Sequence, residues 1–203
     1  MSAAEQINHD LSWREGELGA LKIVLSRSDL SEKQREVLLR AAWALLYAHY
    51  EGFTKFCLTL FYDELQTQTQ ECKLLPPATR VFALSKPLKQ MRSDTSNDLL
   101  SKIESFADEH LSCPPQFPEV VTQSNLNPKV LNELLETADL DVSIVNEHKS
   151  KISTLVSRRN EIAHGEKNFI SELSYYFSYE EAIYEIMYDL ALSVIQKLEG
   201  HTV

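Results

Sequence analysis

The spacing of the apolar residues constrains this sequence most strongly, because they recur at alternating steps of three and four along most of the chain. Such steps return to one face of an α-helix, whereas a half-buried strand would need alternation every second residue. Only 5 of the 203 residues are glycine, which argues against a turn-rich all-β fold. The pattern predicts an all-α protein, a helical bundle with one irregular insertion.

Two helices are predicted in the first third of the chain. Apolar residues from Ile7 to Leu25 define the first, and Arg14 occupies one position of its apolar stripe. Ser31 and Gln34 have the spacing of a capping box, which predicts the start of a long second helix. That helix is apolar on most of its circumference, which predicts a central position. Pro76-Pro77 would stop any helix that reached them.

Residues 78–126 are the least regular part of the pattern. Leu99, Ile103 and Phe106 indicate one helix there, whereas the prolines between positions 114 and 118 indicate an irregular connection. Asn127-Pro128 then predicts a new helix, since a capping residue is followed by proline at the first helical position.

Two more helices are predicted in the last third of the chain. The first ends at Gly165, a residue suited to the left-handed conformation that follows many helices. Ser178 and Glu181 predict the start of the last helix. No repeat, linker or long charge run divides the chain, so we expect a single helical domain over residues 1–203. The stripe of the helix before Gly165 consists of Val145, His148, Ile152, Leu155, Arg159 and Ile162.

Composition indicates the compartment and excludes some partners. No apolar stretch approaches the roughly 20 residues of a membrane-spanning helix, and the N-terminus lacks the basic-then-apolar pattern of a secretion signal. The three cysteines share no metal-ligand spacing, which predicts a reduced, cytoplasmic protein without a disulfide framework. A net charge of −10 argues against nonspecific coating of nucleic acid but is compatible with one local basic site for RNA.

Arg159 is the residue that fits least well with a purely structural stripe. Arginine stays ionised in any protein, and burying it unpaired costs several kcal/mol. It must therefore meet an anion, which would be a carboxylate, a phosphate or an acceptor from a partner chain. His164 follows five residues later, about 140° around a straight helix, so the length of arginine or a second subunit must close that gap.

Asn160 lies one turn before His164 and shares its face. A fixed cation, an imidazole and an amide within two turns suit the cleavage of RNA by its own 2′-hydroxyl. No His, Cys and carboxylate set has ligand spacing, so neither a metal nor another cofactor is expected. The structural alternative, with Arg159 ion-paired inside the bundle and His164 merely capping the helix, is equally compatible with the spacing.

The run from Ser157 to Gly165, SRRNEIAHG, resembles the signature of HEPN domains (higher eukaryotes and prokaryotes nucleotide-binding). The upstream run from Ala41 to Phe53 resembles the early core helix of the MAE-like HEPN nucleases, a branch associated with prokaryotic toxin and defence systems. Position 166 is Glu, so the chain lacks the His-x-Tyr extension of another HEPN branch.

The resemblance implies a metal-independent endoribonuclease in which the Arg–His motifs of two subunits meet across a cleft. Arg159 would stabilise the transition state, His164 would move a proton or orient the 2′-hydroxyl, and Asn160 would position the phosphate. Arg158 would contact the RNA backbone or simply point to solvent. The implied partners are an RNA substrate, a second copy of the chain, and an antitoxin or defence-system protein.

Other residues have weaker interpretations. Gly52 predicts close helix packing, Glu51 would pair with an active-site cation or with solvent, and His49 is expected to be a core histidine. Cations outnumber anions 5 to 2 between residues 149 and 167, which suits one phosphate site or a solvated face. The aromatic cluster from Tyr175 to Tyr179 would stack on bases or pack at the foot of the last helix.

The sequence therefore predicts a homodimeric endoribonuclease that acts as a toxin or in defence against phage. The alternative is a non-catalytic helical module, an antitoxin-like or nucleotide-binding partner that kept the bundle and lost turnover.

Overall fold

The computed structural model describes residues 1–167 and 172–200, and every regular element within them is helical. Residues 168–171 and 201–203, which belong to the predicted single domain, lie outside the described residues. The prediction of an all-α fold is confirmed. The helices are α1 (Ala3–Leu25), α2 (Glu32–Gln68), α3 (Pro77–Ala83), α4 (Ser85–Met91), α5 (Ser96–Phe106), α6 (Pro128–Thr137), α7 (Ser143–Glu147), α8 (Lys149–Ala163) and α9 (Leu173–Glu199).

Helix α2 is central, as its apolar circumference predicts. Its 37 residues extend over about 55 Å, and it packs against α1, α8 and α9. Trp43, Tyr50, Phe53 and Phe61 are completely buried between these helices. Because α2 contacts all three neighbours, one hydrophobic cluster extends from α1 to α9.

The helix starts at Ser31 and Asn127 are confirmed. The Ser31 hydroxyl accepts from the Gln34 N–H, and the Gln34 side chain accepts in return from the Ser31 N–H at 2.9 Å. The Asn127 side chain accepts from the N–H groups of Lys129 and Val130, and Pro128 takes the first helical position.

Two predicted boundaries are wrong. Helix α9 begins at Leu173 rather than near Ser178, and Ser178 Oγ donates to the Tyr175 carbonyl instead of capping a helix. The added turn brings Tyr176 into edge-on contact with Trp43 of α2, and this burial favours the earlier start. The stripe that starts at Val145 is divided between α7 and α8 at His148. The two helices remain joined there, because the His148 N–H and C=O both continue the helical hydrogen bonds.

The region between α2 and α6 contains more helix than its pattern indicates. The helix predicted at residues 99–106 is α5, but α3 and α4 precede it and were not predicted. Pro77 does not merely stop a helix: α2 has already ended at Gln68, and Pro77 begins α3. Within this region, a short 3₁₀ helix, Cys72–Leu74, precedes α3, and a π-helical turn, Ala107–Leu111, follows α5. Residues 112–127 form the irregular segment that the prolines predict.

No helix of the described residues combines the length and the apolar character needed to cross a membrane.

Candidate functional site

Arg159 leaves α8 near its C-terminal end and reaches both α2 and the irregular segment. Its guanidinium carbon lies 4.0 Å from the centre of the Tyr47 ring, and Nη2 donates a 2.6 Å hydrogen bond to the Ser124 carbonyl. A guanidinium is attracted to an aromatic face by the quadrupole of the ring. The side chain is half-buried, and its Nε atom is buried without a hydrogen-bond partner. Two contacts therefore hold the cation in place without neutralising it.

The charge of Arg159 meets no carboxylate within residues 1–167 and 172–200. Of the three anions that the sequence leaves open, the internal carboxylate is therefore not found in this part of the chain. Arginine has five N–H donors; the Ser124 carbonyl takes one and the Nε–H is buried, which leaves up to three for an incoming group. An anion with several acceptor oxygens, such as a phosphodiester, matches that remaining capacity.

Tyr47 links Arg159 to the irregular segment. Its hydroxyl accepts a 2.7 Å hydrogen bond from the Leu126 N–H. Burial raises the pKa of Tyr47, while the Leu126 N–H and Arg159 act in the opposite direction. The phenol is therefore neutral at physiological pH, and its ring and hydroxyl contact Arg159 and the segment at the same time.

The segment approaches Arg159 through a turn of unusual backbone conformation. Gln123 and Ser124 have φ angles of 58° and 51°, which non-glycine residues rarely adopt. This turn presents the Ser124 carbonyl to Arg159. Sparsely populated conformations of this kind persist only where surrounding contacts hold them, and the bonds to Arg159 and Tyr47 are such contacts.

Helix α8 ends just before Gly165, as the sequence predicts, and His164 is its C-cap residue. Gly165 has a φ of 74°, its N–H bonds to the Ile162 carbonyl, and the Glu166 N–H bonds to the Glu161 carbonyl. This pair of bonds is the Schellman motif, which a left-handed glycine completes at little conformational cost. The motif leaves the His164 side chain exposed at the end of the helix.

No hydrogen bond or ion pair joins Arg159 to His164 within the described residues. Arg159 contacts α2 and the irregular segment, whereas the exposed His164 side chain forms no hydrogen bond or ion pair within the described residues. Asn160 is half-buried, and its carbonyl accepts from the His164 N–H at 2.9 Å. The roles given to Arg159, Asn160 and His164 remain predictions.

Arg158 already has an acidic partner. Its Nη1 donates to Glu161 at 3.1 Å, and both side chains are about a quarter exposed. The Ser157 hydroxyl donates to the other oxygen of the same carboxylate. Contact with an RNA backbone would therefore compete with this ion pair, and the substrate-binding role of Arg158 also remains a prediction.

Two residues beside the motif were not singled out in the sequence. Arg40 of α2 donates a 2.8 Å hydrogen bond to the Glu166 carbonyl, so α2 adds a cation just beyond the end of α8. Tyr47 lies inside the HEPN-like run of α2. Its hydroxyl on a mostly apolar helix is the one feature of the sequence that could have indicated a functional position. The contact with Ser124 has no sequence signal, because it depends on the path of an irregular segment.

The secondary candidates are mostly structural. His49 is buried and lies 2.8 Å from Glu17. Burial and the Arg14 guanidinium lower the pKa of His49, and Glu17 acts in the opposite direction. Gly52 is in close contact as expected, because a Cβ there would lie 3.0 Å from Arg14 Nη1. Glu51 has one buried oxygen without a hydrogen-bond partner, and no ion pair joins it to a cation of the described residues.

The aromatic cluster at the start of α9 packs against α2. Tyr176 and Tyr179 are buried, and their ring centres lie 5.7 and 4.8 Å from that of Trp43. Tyr175 is more exposed and shares a 2.8 Å hydroxyl contact with Tyr179. These buried rings fit the packing interpretation better than base stacking.

Within the described ranges, no group of three or more His, Cys, Asp and Glu side chains is arranged to hold a metal ion.

Comparison with known proteins adds one match. A family model for HEPN_MAE_28990-like HEPN domains matches residues 3–202. No curated protein and no solved structure matches the chain.

Proposed function

Because the chain belongs to the HEPN_MAE_28990-like HEPN family, as its early core helix and SRRNEIAHG run indicate, we propose that it is a metal-independent endoribonuclease. HEPN domains are typically ribonucleases. We further propose that it acts as a homodimer in a toxin or phage-defence role, with Arg159, Asn160 and His164 as the catalytic residues.

The observation that carries this proposal is the state of Arg159. The guanidinium is held by an aromatic face and a carbonyl, has no carboxylate partner in the described residues, and keeps a buried Nε without a partner. These contacts fix the position of the guanidinium but leave its positive charge without a counter-ion in the described residues. A preorganised cation does stabilise negative charge that develops on a phosphoryl group, and it needs no reorganisation at the moment of reaction.

The proposed reaction is an internal transesterification of RNA. The 2′ oxygen attacks the adjacent phosphorus, the bond to the 5′ oxygen breaks, and the products are a 2′,3′-cyclic phosphate and a 5′-hydroxyl. One proton leaves the 2′-hydroxyl and another joins the departing 5′ oxygen, so the reaction needs groups that transfer protons. Arg159 would stabilise the phosphorane charge, and His164 would transfer a proton or orient the 2′-hydroxyl. Asn160 would position the phosphate, and Arg158 would bind the backbone after releasing Glu161.

A second copy of the chain would complete the site. Arg159 and His164 lie about 140° apart around α8, and no hydrogen bond or ion pair joins them in the part of the chain that the structure describes. A twofold arrangement of two α8 helices would place the motif of one copy opposite that of the other, because such an interface is self-complementary. Light scattering should then give twice the 23.2 kDa of a single chain.

Product chemistry provides the first test. Purified protein in EDTA should cut RNA and leave cyclic phosphate and 5′-hydroxyl ends. His164→Ala should lose this activity and keep its helical circular dichroism and thermal midpoint. His9→Ala is the matched control: it removes an exposed histidine that lies on α1, away from the motif in sequence, and it should cut normally. Full activity of the His164 variant, or cleavage only with added metal, would reject the proposal.

Growth of a bacterial host distinguishes the nuclease from a non-catalytic binding module. A toxic nuclease should stop growth on expression, and His164→Ala should restore it. A harmless wild-type chain that binds RNA without cutting it would favour the binding module.

A further inference from the structure

Two of the three cysteines lie at the two ends of the stretch that contains α3, α4 and α5, and a backbone hydrogen bond joins them. Cys72 begins the 3₁₀ helix after α2, and Cys113 follows the π-helical turn. The Cys72 N–H donates a 2.8 Å hydrogen bond to the Cys113 carbonyl. Covalent geometry puts N about 1.5 Å from its Cα, and a carbonyl oxygen about 2.4 Å from its own Cα. The two Cα atoms are therefore at most about 6.7 Å apart.

This separation is within the range that a disulfide bridges, which is about 4.4–6.8 Å between Cα atoms. Both cysteines also line one cavity of about 700 Å³. In the reduced chain, Cys113 Sγ makes only a weak 3.4 Å contact with the Asp108 carbonyl. A disulfide would replace that contact.

The two thiols differ in access to solvent. Cys113 is exposed, whereas Cys72 is only 1% exposed. Burial raises the pKa of the Cys72 thiol, and Arg80 acts in the opposite direction. An exposed thiol reacts first with a soluble oxidant, and a neighbouring thiol can then resolve the product. Cys57 provides an internal control, because it is completely buried in α2.

We propose that Cys72 and Cys113 form a reversible disulfide when the reduced protein meets a hydroperoxide. The Cys113 thiolate attacks the hydroperoxide, the O–O bond breaks, and Cys113 becomes a sulfenic acid while an alcohol or water leaves. The Cys72 sulfur then attacks the sulfenic sulfur, the S–S bond forms, and the S–O bond breaks. The hydroxide leaves as water with the thiol proton, and a thiol reductant reverses the change.

The disulfide would attach the start of the 3₁₀ helix to the end of the π-helical turn. It would close a loop over residues 72–113, which contains α3, α4 and α5. Restricting a loop of this length in the unfolded chain raises the stability of the folded state. The oxidised protein should therefore unfold at a higher temperature than the reduced one.

The test uses the full chain, reduced, desalted and exposed to hydrogen peroxide. Free thiols are alkylated in denaturant, and peptides are mapped by mass spectrometry without reductant. We expect a Cys72–Cys113 linked peptide, a higher thermal midpoint, and reversal of both by dithiothreitol. Cys57→Ser should behave like the wild type, and Cys113→Ser should lose the link and the rise in midpoint. Cys72→Ala should leave Cys113 as sulfenic acid or a more oxidised product.

Peptide mapping of the wild-type chain keeps the test decisive even if a variant at buried Cys72 folds poorly. The proposal is wrong if peroxide leaves Cys72 free while Cys113 becomes sulfinic acid or links two chains. It is also wrong if the link forms only in denaturant. None of these measurements depends on RNA cleavage.

Discussion

Two arginines occupy apolar helix stripes in this protein, and their surroundings differ. Arg14 of α1 is 8% exposed, and its Nε lies 2.6 Å from an oxygen of Asp10. Its Nη1 also lies 3.4 Å from the His49 carbonyl. Arg159 of α8 is half-buried, and among residues 1–167 and 172–200 its guanidinium contacts the Tyr47 ring and the Ser124 carbonyl.

The difference shows how one chain can use the same residue type in two ways. Arg14 is neutralised by a carboxylate one turn away, and α2 has a glycine where that guanidinium rests. Such a charge has little capacity left for a ligand. Arg159 is positioned, and no carboxylate of residues 1–167 and 172–200 neutralises it, which is the arrangement expected of a charge that meets an external anion. Activity should therefore depend on Arg159, and stability on Arg14.

The largest expected effect is on catalysis. Arg159→Ala should lower the single-turnover rate of RNA cleavage by about 10²–10³-fold, because a preorganised donor to the developing charge is lost. Arg159→Lys should recover little, since an ammonium lacks the planar fork of donors. The thermal midpoint should change much less than for Arg14→Ala. Normal cleavage by Arg159→Ala would contradict the prediction that activity depends on Arg159.

Arg14→Ala should show the opposite behaviour. Removing one member of a buried ion pair leaves Asp10 unpaired, which costs about 3 kcal/mol in the free energy of unfolding. Urea denaturation followed by circular dichroism measures this loss. Arg27→Ala is the matched control, because its ion pair with Asp29 is exposed to solvent, and it should change stability little. Equal stabilities for the two variants would contradict a structural role for Arg14.

Tyr47 tests whether Arg159 is held by its neighbours. Tyr47→Leu removes the ring below the guanidinium and the anchor of the Leu126 N–H, and it should lower kcat about tenfold. Tyr47→Phe keeps the ring and should have a smaller effect. KM should stay nearly constant, because the loss falls on the transition state. Tyr62→Phe, at a tyrosine of α2 that packs on Phe82 and Phe117 instead, should be neutral.

The smallest expected effect concerns Gly52. Alanine in a helix interior normally stabilises by about 1 kcal/mol relative to glycine. At position 52 the new Cβ would lie 3.0 Å from Arg14 Nη1, so we expect this gain to be cancelled or reversed. Gly16→Ala, which meets nothing within 4 Å, should show the gain. The gain should also appear at position 52 once Arg14 is replaced by alanine, and its absence there would show that Arg14 is not the obstacle.

The sequence was informative where one residue or its near neighbours decide the structure. Ser31, Asn127 and Gly165 mark helix ends through bonds to residues a few positions away, and each is found where the pattern predicts it. Boundaries that depend on distant contacts were predicted poorly. Helix α9 starts early where Tyr176 meets Trp43, and α3 begins where Asp139 accepts from the Thr79 N–H at 2.8 Å. Neither partner is local, so no capping pattern reveals it.

For the candidate site, local patterns of residues were enough to predict the helical fold, the family, and the placement of Arg159, Asn160 and His164 near one helix end. Periodicity and capping are local properties, and a family signature is a run of residues. The contacts of Arg159 with Tyr47 and Ser124 could be found only from the folded chain, whereas the carboxylate that meets Arg14 lies one turn away on the same helix. The state of a partly buried charge depends on the groups that reach it in space, and those of Arg159 come from a distant helix and an irregular segment.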